Sequence, residues 1–181
     1  MSKNADLLLS SISQYYDKNP ANKLLLEQLI SGEYDISLRI IDWFITHYAK
    51  DKNVVYWLDP VQFTLHASPA AHLKKVHVYL DYRAQLKSYS KFFFDPFRRH
   101  ERITFIIQNR PLKTVETTIG QLNFFRWVFQ NNLLAYIKAH KQEIEEHVSQ
   151  HQQNTESKSK GTPTRMLTPL SQQTRSFLRF D

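Results

Sequence analysis

Cysteine is absent from this 181-residue chain. Disulfides, thiolate zinc sites and thiol nucleophiles are therefore excluded, and the absence leans towards a reducing compartment. Glycine is scarce, at three residues. That leaves no glycine-rich loop to cradle phosphates, and no Gly-x-Ser-x-Gly elbow is present to present a serine nucleophile. Three glycines and seven prolines also exclude a collagen-like or wholly disordered composition. No apolar run reaches the ~18 residues of a membrane span. The start, Met1-Ser-Lys-Asn-Ala-Asp6, is too polar for a secretory signal. The expectation is a protein made and kept in the cytosol, or moved on to a nucleus-like site or a particle.

What the chain does hold is apolar and basic. Hydrophobic residues make up 41% and aromatics 13%, enough for a core in one domain with tails. Lysine and arginine outnumber aspartate and glutamate by 24 to 17, for a net charge of +7. A balance of that sign favours nucleic acid, anionic lipid or an acidic protein surface as partner.

Periodicity predicts an α+β fold. Leu8, Leu9, Ile12, Tyr15 and Tyr16 share a helical face that ends before Pro20. Leu24, Leu25, Leu26, Leu29 and Ile30 repeat the pattern up to Gly32. A third helix, with Asp35 as its expected N-cap, carries Leu38, Ile41, Phe44, Ile45 and Tyr48. Strands are expected at residues 54–58, 61–65, 76–80, 102–108 and 112–116, as one small, mostly antiparallel sheet. A helix is expected over residues 83–94. Thr118-Ile-Gly-Gln121 fits a capping box opening a long helical pattern, with Asn131-Asn132 as a break point. The chain then divides into an N-terminal helical extension (1–34), an α+β core (35–150) and a flexible tail (151–181).

The densest functional signal is Tyr82 to Arg99, where six aromatics and five cations fall in eighteen residues. Across Arg83, Lys87, Lys91, Arg98, Arg99, Arg102, Arg110 and Lys113 there are eight cations, against only Asp95 and Glu101 as acids. Cations neutralise phosphates and release counterions, while exposed rings stack on bases. The competing reading makes Tyr82, Tyr89, Phe93 and Phe97 core and the cations its solvated rim. Asp95-Pro96 reads as a turn whose carboxylate accepts from the amides of Phe97 and Arg98 or pairs with Arg99. Gly120 reads as a position of close packing.

No catalytic constellation emerges, and no cofactor is implied. His66, His72 and His77 cluster in sequence, and His140, His147 and His151 share a helical stripe. Neither group has the His-Glu-x-x-His pattern, so no metal is expected. The tail differs from a plain linker. Met166, Leu167, Leu170, Phe177, Leu178 and Phe180 are apolar anchors after a polar spacer, the pattern of a segment that docks on a partner or on its own core.

Four blocks stand in order: Ile36-Ser-Leu-Arg-Ile-Ile-Asp-Trp-Phe-Ile-Thr-His-Tyr-Ala-Lys50, Tyr82-Arg-Ala-Gln-Leu-Lys-Ser-Tyr-Ser-Lys91, Phe94-Asp-Pro-Phe-Arg98 and Thr117-Thr-Ile-Gly-Gln-Leu-Asn-Phe-Phe-Arg-Trp127. Together they resemble an uncharacterised family of nucleocytoplasmic large DNA viruses, over about Asp35 to Val148. The family pattern has a cysteine between the Phe97 and Arg98 positions, which this chain lacks, so no thiol or zinc role carries over. The resemblance implies a viral product that acts in the particle or in viral gene expression. The expected function is a non-enzymatic structural or interaction protein, a minor virion component or assembly scaffold with other viral proteins as partners. The alternative is a basic DNA- or RNA-binding factor in viral transcription or genome packaging.

Overall fold

The computed structural model describes residues 3–159, which form seven helices and five short strands. Helix α1 (Lys3–Lys18) buries Ala5, Ile12 and Tyr16. It stops where Pro20, which cannot donate to the preceding turn, opens α2 (Pro20–Ser31). Gly32 ends α2 in the left-handed region, at φ 77°, and its N–H bonds the Gln28 carbonyl.

Helix α3 runs as Leu38–Trp43, widens into a π-helical turn at Phe44–Tyr48 and closes at Ala49–Asp51. Its N-cap is Ser37, whose hydroxyl accepts from the Ile40 amide at 3.3 Å, and not Asp35 as the sequence suggested. Asp35 lies two residues further upstream, and its carboxylate faces Lys138 at 3.9 Å instead.

Strand β1 (Val55–Leu58) is the centre of a three-stranded antiparallel sheet, flanked by β2 (Leu65–His66) and β3 (Lys74–His77). The strand expected over 61–65 is mostly a turn. The Asp59 carboxylate accepts from the amides of Val61 (2.8 Å) and Gln62 (3.0 Å), and Val61 is 87% exposed. Here the turn chemistry of Asp59-Pro60 overrides the apolar alternation. The strand expected over 76–80 ends at His77, because α4 (Val78–Phe93) starts there. The His77 ring accepts from the Leu80 amide at 3.5 Å and Asp81 accepts from the His77 amide at 3.0 Å, so the two cap the helix reciprocally.

Strands β4 (Ile103–Asn109) and β5 (Leu112–Thr117) form a separate antiparallel ribbon, bulged between Ile106 and Gln108. The strands thus make two sheets and not one. The α+β class stands.

Helix α5 (Ile119–Gln130) is the central element. Leu122, Phe124, Phe125, Trp127, Val128 and Phe129 are all buried along it, which a helix tolerates only when it is packed on every side. Asn132, at φ 49°, breaks the chain into α6 (Leu133–Ala139) as the sequence suggested. Helix α7 (Lys141–Ser159) follows. Its first turns are pinned to α3. The Trp43 indole donates to His147 Nδ1 at 3.0 Å, His147 Nε2 meets Asp51 at 3.1 Å, and the Tyr48 hydroxyl donates to Glu143 at 2.9 Å.

One compact unit extends to Val148, and a second begins at Ser149. Residues 3–34 belong to the first. Ala5, Ile12, Tyr16, Leu26 and Leu29 lie in the common core, and the Tyr16 hydroxyl donates to the Leu122 carbonyl at 3.0 Å. Among the described residues, no helix is long and apolar enough to cross a membrane.

Candidate functional site

The Tyr82–Arg99 stretch splits where α4 breaks. Ser90 stands at φ 59°, ψ 171°, a conformation close to one that is essentially reserved for glycine. Its hydroxyl accepts from the Phe92 amide at 3.3 Å. The break divides three consecutive phenylalanines. Phe92 is 39% exposed, Phe93 is partly buried, and Phe94 is 1% exposed.

Phe94 sits among Phe124 (5.3 Å between ring centroids), Trp127 (5.7 Å), Tyr82 (6.1 Å) and Tyr89 (6.4 Å). Helix α4, the residue that follows it and helix α5 therefore meet in one aromatic cluster. Within the stretch, Tyr82, Tyr89 and Phe93 pack against the core, while Phe97 is 45% exposed.

The loop after Phe94 is fastened to the start of α5. Asp95 accepts from the Phe97 amide at 2.8 Å, making the expected turn. The Asp95 amide donates to the Gly120 carbonyl at 3.2 Å, and Asn123 donates to the Phe93 carbonyl at 2.8 Å. Thr118 caps α5 by accepting from the Gln121 amide at 3.1 Å. The reciprocal half of the capping box is replaced. The Gln121 side chain donates to the Pro96 carbonyl at 2.7 Å and accepts from Thr117 at 3.0 Å. A β-carbon on Gly120 would lie 3.1 Å from the Phe92 carbonyl, so this glycine is a point of close approach, as expected.

A cavity of about 490 Å³ opens between these parts. Phe92, Phe93 and Ile119 supply apolar wall, and Arg98 and Arg102 supply cations, with the His100 ring also in the lining. The Arg98 guanidinium lies over the Phe92 ring, 4.3 Å from its centroid. Arg102 donates to the Glu116 carbonyl at 3.2 Å, which fixes it at the near end of the ribbon.

Of the eight predicted contact residues, only Arg98 and Arg102 line this cavity. Arg83 and Lys87 are exposed one turn apart on α4. Arg99 is exposed in the loop. Lys91 acts electrostatically on Asp42, whose carboxyl is pushed up by burial and by the charge of Asp95, with Lys91 opposing them. Lys113 pairs with Glu27 of α2 at 2.8 Å. Arg110 stands beyond the far end of β4, whose length at ~3.3 Å per residue is roughly 20 Å. The structure therefore deals these cations among α4, the cavity and the ribbon.

Sequence reading missed a polar groove of about 550 Å³ beside α4, lined by Lys74, Lys75, Gln85, Arg126 and Asn131 among others. There Lys74 donates to Asn131 at 2.8 Å and Arg126 to Asn123 at 2.7 Å. The Lys74-Lys75 pair was a visible signal. Arg126, alone among apolar neighbours, was not.

The histidines have structural partners. His66 bonds Thr64 at 3.0 Å, His72 faces Asp59 at 3.8 Å, and His140 stacks on Tyr136 with centroids 4.0 Å apart. Among the described residues, no group of three or more His, Asp or Glu side chains could hold a metal ion. Met166, Leu167, Leu170, Phe177, Leu178 and Phe180 lie outside the described residues.

Comparison with known proteins adds a family. A model described as a family of unknown function, DUF7197, matches residues 1–173. An uncharacterized protein of Acanthamoeba polyphaga mimivirus is 32% identical over 142 residues, which cover 77% of this chain and 51% of that protein. The chain thus spans about half the length of the curated relative it matches. No solved structure matches it.

Proposed function

We propose, for a chain that belongs to the DUF7197 family of unknown function, that it is a non-enzymatic interaction protein of a large DNA virus. In this reading it is a minor component or assembly scaffold of the particle, made in the host cytoplasm or nucleus and bound to other viral proteins. The mimivirus relative supports the viral source. The four sequence blocks that suggested a large-DNA-virus family fall on α3, α4, the loop after α4 and α5, and three of them meet around Phe94.

The observation that carries the binding role is apolar surface. Leu7 is 70% exposed on α1, Leu24 51% on α2, and Ile106 44% and Leu112 69% on the ribbon. The elements that carry them pack on one another, and large apolar side chains that join into one exposed patch mark a protein contact.

Incorporation into nuclease-treated particles of the encoding virus tests this. The Ile106→Asp, Leu112→Asp double variant should lower the particle-bound fraction by about fivefold or more, the loss expected for anchors worth at least ~1 kcal/mol. Its circular dichroism should be unchanged. A chain missing from purified particles, or a double variant incorporated as well as the parent, would overturn the reading.

A second reading, nucleic-acid binding, is favoured by the Arg98–Phe92 contact in the lining of a cavity that also holds Arg102. The exposed Arg83 and Lys87 on α4 would add backbone contacts.

A further inference from the structure

We propose that the cavity between Phe92 and Arg102 binds one unpaired nucleotide, taken from a single-stranded nucleic acid. This rests on the nucleic-acid reading above and goes further, because it names the pocket, the ligand unit and the strand state.

Three observations converge. The first is size. About 490 Å³ lies within the roughly 300–1,000 Å³ range of small-ligand sites and suits a base with its sugar and phosphate. The second is a ready stacking surface. The Arg98 guanidinium already lies over the Phe92 ring, 4.3 Å from its centroid, and Phe92 meets Phe93 edge-on at 4.6 Å. A planar base extends such a stack, since bases pack on aromatic rings and on guanidinium planes alike. Phe92 is 39% exposed, held out by the break at Ser90, while its neighbour Phe94 goes to the core.

The third is charge. Arg98 and Arg102 line the cavity as cations, His100 adds a ring N–H donor, and Glu101 is the carboxylate in the lining. A phosphate attached to the stacked base falls within reach of those groups. A base locked in a duplex cannot enter, because its faces are covered by its neighbours, so the pocket selects unpaired strands. A free mononucleotide carries the same chemistry, and the experiment separates the two sources.

The test uses the full chain and fluorescence anisotropy with a labelled 12-nucleotide oligothymidine, the matching duplex, and thymidine monophosphate as competitor. The single strand should bind in low salt. Phe92→Ala should weaken it about tenfold, the loss typical of one stacked base, and should leave duplex binding unchanged. Phe92→Tyr, which keeps a ring, should restore most of the affinity. Arg98→Ala should weaken single-strand binding and flatten its salt dependence, whereas Lys87→Ala should act on single strand and duplex alike.

If thymidine monophosphate displaces the strand at equal concentration, the ligand is the free nucleotide, and single-strand selection is overturned. If Phe92→Ala binds the strand as the parent does, the pocket assignment fails while nucleic-acid binding stands. If neither strand nor duplex binds in low salt, both fall.

Discussion

Phe92 and Phe94 are two residues apart, yet their replacement by alanine should have opposite consequences. Phe94 is 1% exposed and touches four other rings. Removing a buried phenyl costs about 3–5 kcal/mol in lost transfer energy and in the void left behind. A single domain of this size holds only roughly 5–15 kcal/mol, so Phe94→Ala removes about a fifth of it or more. At ~2–4 °C per kcal/mol for a chain of this length, the melting midpoint should fall by about 6–20 °C.

Phe92 loses far less. It is already 39% exposed, and its stack with Arg98 at the surface is worth ~0.5–1 kcal/mol. Phe92→Ala should therefore stay within ~1 kcal/mol of the parent, which is what makes it usable as a binding variant. Urea unfolding followed by far-ultraviolet circular dichroism measures both. The reasoning is refuted if Phe94→Ala costs under 1 kcal/mol, or if Phe92→Ala costs more than Phe94→Ala.

Three further outcomes follow from particular contacts. Thr118→Ala removes the hydroxyl that accepts from the Gln121 amide and should cost about 1 kcal/mol in the same unfolding assay. The Asp59 carboxyl is held below the ordinary carboxylate range by the amides of Gln62 and then Val61. Its stabilising effect is complete above the unfolded value near ~4 and is lost as pH falls through the lowered folded value. Asp59→Asn should therefore be less stable than the parent at pH 7, with the gap closing in acid. Asp42 has the reverse sign. Its carboxyl is pushed up by burial and then by Asp95, so its penalty is absent below ~4 and complete above the raised folded value. Asp42→Asn should gain stability at pH 7 and none in acid, and a gain that grows in acid would refute the assignment.

Much of the fold could be read from local pattern because local chemistry decides it. The apolar faces of α1 and α2, the stop at Pro20, the cap at Gly32, the Thr118 hydroxyl and the Asn131-Asn132 break all depend on residues within one or two turns. Errors arose where two local signals competed. At Val61 the alternation read as strand, but the Asp59 carboxylate had claimed the next amides for a turn. At His77 a strand residue doubles as a helix cap.

The cavity was only half legible. Arg98 and Arg102 were singled out as contacts, but Ile119 reaches the same cavity from a helix that follows the whole ribbon. The fate of Phe92 turns on one backbone angle at Ser90, and nothing about a serine in a helical pattern announces it. Lys113 looked free in sequence and is held by Glu27, eighty-six positions earlier.

The bond from Tyr16 to Leu122 has a practical side. A truncation starting at Asp35, where the viral resemblance begins, would keep all four blocks and still lose the floor on which α5 rests. The rings of Phe105 and Phe129, 5.6 and 6.4 Å from that of Tyr16, would then face water. Such a shortened protein would tend to clump, and any stickiness it displayed would report on the missing helices and not on a natural partner.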